Sequence, residues 1–168
     1  STSATACDSY TWSANNQTYT TSGTYTATST NAASCLHTST LNLTVNYSSS
    51  SSVSATACDS YTWSANNQTY TTSGTYTATS TNASGCLHTT TLNLTINYST
   101  ATSTSATACD TYTWSANNQT YTSSGTYTAT SMNAAGCVHT QTVNLQIDQS
   151  TTSSTSLTAC DSYTWSAN

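Results

Sequence analysis

The chain has 168 residues, no Lys or Arg, no Pro or Phe, and a formal charge of −5 from five acidic residues. Without a cation to neutralise phosphates it has no means of gripping nucleic acid or an anionic membrane surface, and no apolar run approaches the roughly 20 residues of a membrane-spanning helix. Ser and Thr supply 76 residues, yet twelve Tyr, four Trp and seven Cys argue against a disordered tether, and Thr, Tyr, Val and Trp favour strands.

Cys7, Cys58, Cys109 and Cys160 follow one another at 51-residue steps, and Cys35, Cys86 and Cys137 keep the same step. Self-similarity at a fixed period marks a repeat architecture. Residues 1–51, 52–102 and 103–153 form three repeats, and 154–168 is either the start of a fourth or a terminal complementing strand. The fourth copy stops mid-motif at Asn168, after a Tyr163/Trp165 strand, so either the array continues or this strand seals the last module or a neighbouring molecule. No signal peptide is visible and the one Met is Met132, which suggests a processed product or a fragment.

Within the first repeat, Tyr10-Thr11-Trp12 predicts a short strand with both aromatics on one face. Ser13 to Asn16 predicts a turn, because Asn tolerates the left-handed conformation. Gln17 to Thr20 returns with Tyr19 inward, and Thr21-Ser22-Gly23 is a second turn in which Gly23 is expected to supply a positive φ. Thr24 to Thr30 is a strand with Tyr25 and Ala27 on one face and four Thr on the other; Asn31 to Ser34 is a loop. Leu36 to Tyr47 is the longest strand, and its strict alternation turns Leu41, Leu43, Val45 and Tyr47 inward and Asn42, Thr44 and Asn46 to water. Ser48 to Ser52 is a linker or a polar edge leading into the next strand.

Short strands, frequent turns and no helical period predict an all-β chain of tandem, small immunoglobulin-like β-sandwich modules of about 51 residues, stacked as a rod or filament. A module of that size buries only about 60% of its unfolded surface, so it needs disulfides or neighbours. The simplest pairings lie within repeats, Cys7–Cys35, Cys58–Cys86 and Cys109–Cys137, each about 28 residues apart; the alternative joins Cys35 to Cys58 and Cys86 to Cys109. The first scheme leaves Cys160 unpaired, inter-repeat or intermolecular. Regular Cys in so polar a chain indicates an oxidising compartment, extracellular or at a cell surface.

Asp, His, Ser and Cys occur in every repeat, but a catalytic site is one arranged constellation in a pocket, and here each candidate is triplicated in a module too small to enclose a cleft. The expectation is no catalytic residue, no cofactor and no metal site: Cys35 and His37 with Asp8 is a poor zinc set if the Cys are disulfide-bonded. Asp8 and His37, with Asp59/His88 and Asp110/His139, are instead expected as surface hydrogen-bonded or ionic pairs beside each bridge. Trp12, Tyr19 and Tyr25 read as core rather than as a sugar platform; Tyr47 and Tyr98 are the better exposed candidates. Asn-x-Ser/Thr triplets at Asn16, Asn42, Asn46, Asn67, Asn82, Asn93, Asn97 and Asn118 are possible glycosylation sites.

The blocks Ala6-Cys7-Asp8-Ser9-Tyr10-Thr11-Trp12, Gln17 to Tyr25, Cys35 and Leu41 to Asn46 resemble tandem repeats of very large, adhesin-like surface proteins secreted by gliding-type (type IX secreting) bacteria. The resemblance covers the whole chain and implies immunoglobulin-like modules, an extracellular location and no catalytic residues. The sorting domain usual in such proteins is not in this sequence. The functional expectation is therefore a disulfide-stabilised, glycosylated structural fibre that self-associates or continues as further repeats. The rival is an adhesin stalk that binds carbohydrate or surfaces. Near-identical loops, Asn31 to Ser34, Asn82 to Gly85 and Asn133 to Gly136, favour structure over selective recognition.

Overall fold

A computed structural model describes residues 1–164 and contains fifteen strands among them. The predicted Tyr163/Trp165 strand runs past the described residues, and Tyr163 itself lies outside regular structure. The first module comprises β1 (Thr2–Cys7), β2 (Tyr10–Trp12), β3 (Gln17–Tyr19), β4 (Gly23–Thr30) and β5 (Leu36–Asn46). The second repeats this order in β6 (Ser49–Cys58), β7 (Tyr61–Trp63), β8 (Gln68–Tyr70), β9 (Gly74–Thr81) and β10 (Leu87–Asn97). The third has β11 (Thr100–Cys109), β12 (Tyr112–Trp114), β13 (Gln119–Tyr121), β14 (Gly125–Met132) and β15 (Val138–Asp148). Residues 1–98 form one compact unit containing two modules, and residues 99–168 a second unit containing the third.

Each module holds a three-stranded sheet and a separate two-stranded hairpin. In the first module β5 is central. It runs antiparallel to β4, with Tyr25 opposite Leu41, and parallel to β1, with Ala4 opposite Leu43. The architecture is all-β and serially repetitive, as expected, but it is not an immunoglobulin sandwich. That fold needs about seven strands in two antiparallel sheets, whereas these modules have five and include a parallel pair. A parallel pair requires a long crossover, and β2, β3 and β4 are that crossover, which leaves no chain for a second full sheet.

The sheet and hairpin close on a small apolar centre: Trp12, Ala27, Leu41, Leu43 and Val45 are buried, with Ala4, Tyr10, Tyr19 and Tyr25 packed around them. Trp63, Leu92, Leu94 and Ile96 fill the same places in the second module. The period-two pattern of β5 thus faces the core as predicted, except at its end. Tyr47 is 55% exposed and lies beyond the strand; its hydroxyl donates to the Thr20 carbonyl at 2.8 Å and ties the module's exit to the β3–β4 turn.

The hairpin turn depends on amide side chains. The Asn16 N–H donates to the Trp12 carbonyl at 2.8 Å with Asn16 at φ 54°, and the Asn15 amide accepts from the Gln17 N–H and donates to the Tyr19 hydroxyl. Gly23 behaves differently from expectation: its φ is not positive, and it opens β4. The Tyr25 ring lies beside it, at ordinary van der Waals distance, 3.5 Å, from where a Cβ would stand. Ser22 then extends the β4 edge, its hydroxyl accepting from the Val45 N–H at 2.9 Å.

Two expectations about repeat joining need correction. Ser49 to Ser52 is strand, so the boundary drawn at 51/52 falls inside β6; the change of module falls at Tyr47 and Ser48. The strand Thr2–Cys7 is weakly signalled, because Ser, Thr and Ala alternate too weakly to mark a buried face, whereas its counterpart β6 bears out Ser48 to Ser52 as a polar edge leading into the next strand. All sheets among the described residues pair strands of one module only, so no β-ladder crosses the junction.

Candidate functional site: the stapled junction between modules

β1 ends at Cys7, opposite Asn46 of β5, and the chain then turns at Asp8, whose φ is 64°. The Asp8 N–H donates to the Asn46 carbonyl at 2.8 Å. Its carboxylate accepts from the Ser48 N–H at 2.8 Å and the Ser48 hydroxyl at 2.6 Å. Asp tolerates the left-handed turn because its short side chain bonds locally. The Ser48 hydroxyl and then its N–H hold the Asp8 carboxyl below the ordinary 3.8. The Ser150 N–H and then its hydroxyl do the same for Asp110. A carboxylate at the foot of β1 therefore fixes Ser48, the residue that leads into β6.

The facing surface is the loop before β10. The Asn82 side-chain oxygen accepts from the N–H groups of Ser84 and Cys86 at 3.0 and 2.9 Å, while its backbone N–H donates to the Cys86 carbonyl. This wraps the loop around one amide and leaves the amide NH2 pointing at the first module. It donates to the Tyr47 carbonyl at 2.8 Å and the Ser49 hydroxyl at 3.2 Å. The Asn46 amide returns the contact, donating to the Ser84 carbonyl at 2.9 Å.

Between these amides lies a disulfide. Cys7 is bonded to Cys86, with Sγ–Sγ 2.03 Å and Cα–Cα 5.6 Å, across a sequence separation of 79. Cys58 and Cys137 are also disulfide-bonded, whereas Cys35, Cys109 and Cys160 are free and exposed. The expected within-repeat bonds Cys7–Cys35, Cys58–Cys86 and Cys109–Cys137 are therefore absent, and so is Cys35–Cys58. The reason is geometric: a disulfide needs Cα atoms within about 7 Å, and Cys7 meets the second Cys of the following module rather than that of its own.

The Asp8 and Asp110 carboxylates go to Ser48 and Ser150 rather than to the expected His37 and His139. His88 lies instead between two hydroxyls of β6, with Nδ1 2.8 Å from Ser49 Oγ and Nε2 3.0 Å from Ser51 Oγ. His139 lies likewise between Thr100 and Thr102. No group of three or more His, Cys, Asp or Glu that could hold a metal ion occurs among the described residues.

The triplet asparagines divide into three kinds. Asn16, Asn67 and Asn118 are exposed at hairpin turns, each with a positive φ. Asn42 and Asn93 are exposed on β5 and β10, their amides 3.5 Å from Ser1 Oγ and 3.2 Å from Ser52 Oγ. Asn46 and Asn82 are half-buried with their amide nitrogens spent on the junction, and Asn97 is the half-buried counterpart of Asn46 in β10. Asn46 was expected to face water and Asn82 to sit in a loop, and neither expectation includes this role. A signal for it was present: Asn31, Asn82 and Asn133 each stand four residues before a Cys.

No protein-family model matches the chain, and no curated protein matches it. No helix among the described residues is long and apolar enough to cross a membrane. The disulfides mark an oxidising environment.

Proposed function

We propose that this chain is part of a non-enzymatic, extracellular structural fibre in which tandem β-modules are covalently stapled one to the next. The observation that carries this reading is the Cys7–Cys86 bond, which joins two modules instead of closing one. A bond inside a module would stabilise a bead. A bond between successive modules carries tension past a junction that no sheet crosses. The two-residue connector, held by Asp8, and the reciprocal Asn46 and Asn82 amides support the same reading, since they restrict how one module moves on the next.

The acceptors best placed for glycan in such a fibre are Asn16, Asn67 and Asn118, at exposed turns away from the junction amides. The near-identical loops disfavour an adhesin that discriminates ligands, and the resemblance to secreted bacterial surface repeats fits a structural shaft. Because the junction uses no ion pair between modules, the fibre should be nearly insensitive to salt.

Electron microscopy of the native material tests the reading. Oxidised material should show continuous fibres of even width in low and high salt, and reduction should loosen them into flexible chains. Oxidised material already consisting of freely jointed beads would overturn the fibre in favour of a flexible stalk.

A further inference from the structure

β4 is an edge strand: its sheet runs in the order β1-β5-β4, and among the described residues no further strand pairs with it. β9 and β14 hold the same place in their sheets. β9 is an edge although its module is preceded and followed by another in the chain, so the open side is a property of the module and not of a missing neighbour. An edge strand presents a row of backbone N–H and C=O groups that no other strand pairs, and proteins normally blunt it with Lys, Pro, a bulge or an inward charge. None of these is present here. The chain has no Lys, Arg or Pro, and no Asp lies in β4. The ladder with β5 runs from Gly23 opposite Leu43 to Thr30 opposite Leu36 without a bulge. Thr24, Thr26, Thr28 and Thr30 are all exposed, and Thr alternating with Tyr and Ala gives an uncharged strand with high β-propensity.

The strand is also complementary to itself. Laid antiparallel on a copy with Ala27 opposite Ala27, it sets Thr24 opposite Thr30 and Thr26 opposite Thr28, so every Thr hydroxyl of the outer face meets another. On the inner face Tyr25 meets Ser29, and the small Ala27 side chains lie on the axis. The chain already makes such Thr pairs across an antiparallel ladder: the Thr11 and Thr18 hydroxyls are 2.8 Å apart across β2 and β3, and Thr62 with Thr69 and Thr113 with Thr120 repeat the contact. β9 has the same sequence as β4, centred on Ala78, and β14 differs only in ending on Met132. The opposite edge has no such constancy, since β1, β6 and β11 differ from one another in sequence.

We infer that β4, and with it β9 and β14, is a docking edge for a second copy of this chain, the two strands pairing antiparallel about Ala27 so that two three-stranded sheets become one continuous sheet. The contact is isologous, with the same strand on both sides. Ladder hydrogen bonds supply the attachment, and the rows of Thr set the register. Each chain carries a charge of −5, but none of it lies on the docking strands, so two acidic chains meet there without opposing like charges. The pairing goes beyond the fibre reading and does not depend on it: it joins copies side by side, whatever holds successive modules together.

The test uses the whole chain with its exposed thiols alkylated, so that disulfide exchange contributes nothing. Sedimentation velocity over a concentration series should show reversible association that high salt leaves unchanged. Hydrogen exchange on the same samples should show amides of β4, β9 and β14 gaining protection as association proceeds, and those of β1, β6 and β11 gaining none. Thr26→Lys with Thr28→Lys, made in every module, sets Lys opposite Lys across the pair and should raise the concentration needed for association by roughly ten-fold or more. The same positions changed to Glu should behave alike, and an equal mixture of the Lys and Glu chains should restore association. Ser3→Lys with Thr5→Lys, made in every module, puts the same charge on the opposite edge and should leave association unchanged. A parent chain that stays monomeric, protection gained on other strands instead, an equal loss from the opposite-edge variant, or no restoration in the mixture would overturn the proposal. A fibre of stapled modules without side-by-side contacts survives each of those results.

Discussion

Replacing both Cys7 and Cys86 by Ser removes the staple between the first two modules. The bond spans a separation of 79 residues. In the chain-entropy model a closed loop of that length restricts the unfolded state by about 4.5 kcal/mol at 25 °C. One kcal/mol moves the midpoint of a domain of about 100 residues by roughly 4–8 °C, and the unit concerned is residues 1–98. Calorimetry should therefore show the first unit melting about 20–30 °C lower in the double variant, and in the parent after reduction. Cys35→Ser, which touches a free exposed thiol, should leave the monomer's transition unchanged. The pairing can be read directly even though trypsin finds no Lys or Arg to cut. Cleavage before Asp isolates Cys7 in residues 1–7, Cys35 with Cys58 in 8–58, and Cys86 with Cys109 in 59–109. A non-reduced digest should join 1–7 to 59–109. Fragment 1–7 joined to 8–58, or an unchanged melting point in the double variant, would refute the reasoning.

Three further outcomes follow from the same geometry. Ser34 is left-handed, at φ 62°, where the other modules have Gly85 and Gly136 at φ 82° and 78°; Ser34→Gly relieves about 1–2 kcal/mol of strain against about 0.4–1 kcal/mol of added unfolded-state entropy, so a small rise in the urea midpoint is expected. Leu92 is 0% exposed, and Leu92→Ala should cost about 2–5 kcal/mol in urea titration, whereas Leu36→Ala, 75% exposed, should stay within about 0.5 kcal/mol. Asp8 and Asp110 have folded-state values below the ordinary 3.8, so their contribution is fully present above that value and lost as pH falls from it through the lower folded value; Asp8→Asn removes that contribution, so it should lower stability near neutrality and flatten its dependence on pH in the acid window.

How much was legible depended on how local the determining interaction is. Tyr10–Trp12, Gln17–Tyr19 and Leu36–Asn46 could be placed because alternation of large apolar residues with Thr or Asn is a property of neighbouring positions. Trp12, Leu41, Leu43 and Val45 could be assigned to the core for the same reason. The hairpin turn at Asn15 and Asn16 could be read because an Asn side chain satisfies backbone groups two residues away. β1 could not be recognised, since its inward residues, Ala4 and Ala6, are small, and its place in the sheet comes from β5, some forty residues on.

The 51-residue period by itself determined that this is a repeat protein of short strands with two cysteines per repeat. Which cysteine meets which was decided only by tertiary structure. Sequence distance favours short pairings such as the 28-residue one over a distant one, because loop-closure entropy rises with length, but it rises only logarithmically, so a 79-residue loop costs about 1 kcal/mol more to close. Geometry outweighs that difference: parallel pairing of β1 with β5 carries Cys7 to the end of its module where the next one begins, and the Asn82 loop brings Cys86 to meet it. A preference that small yields to position, and position exists only once the modules have folded.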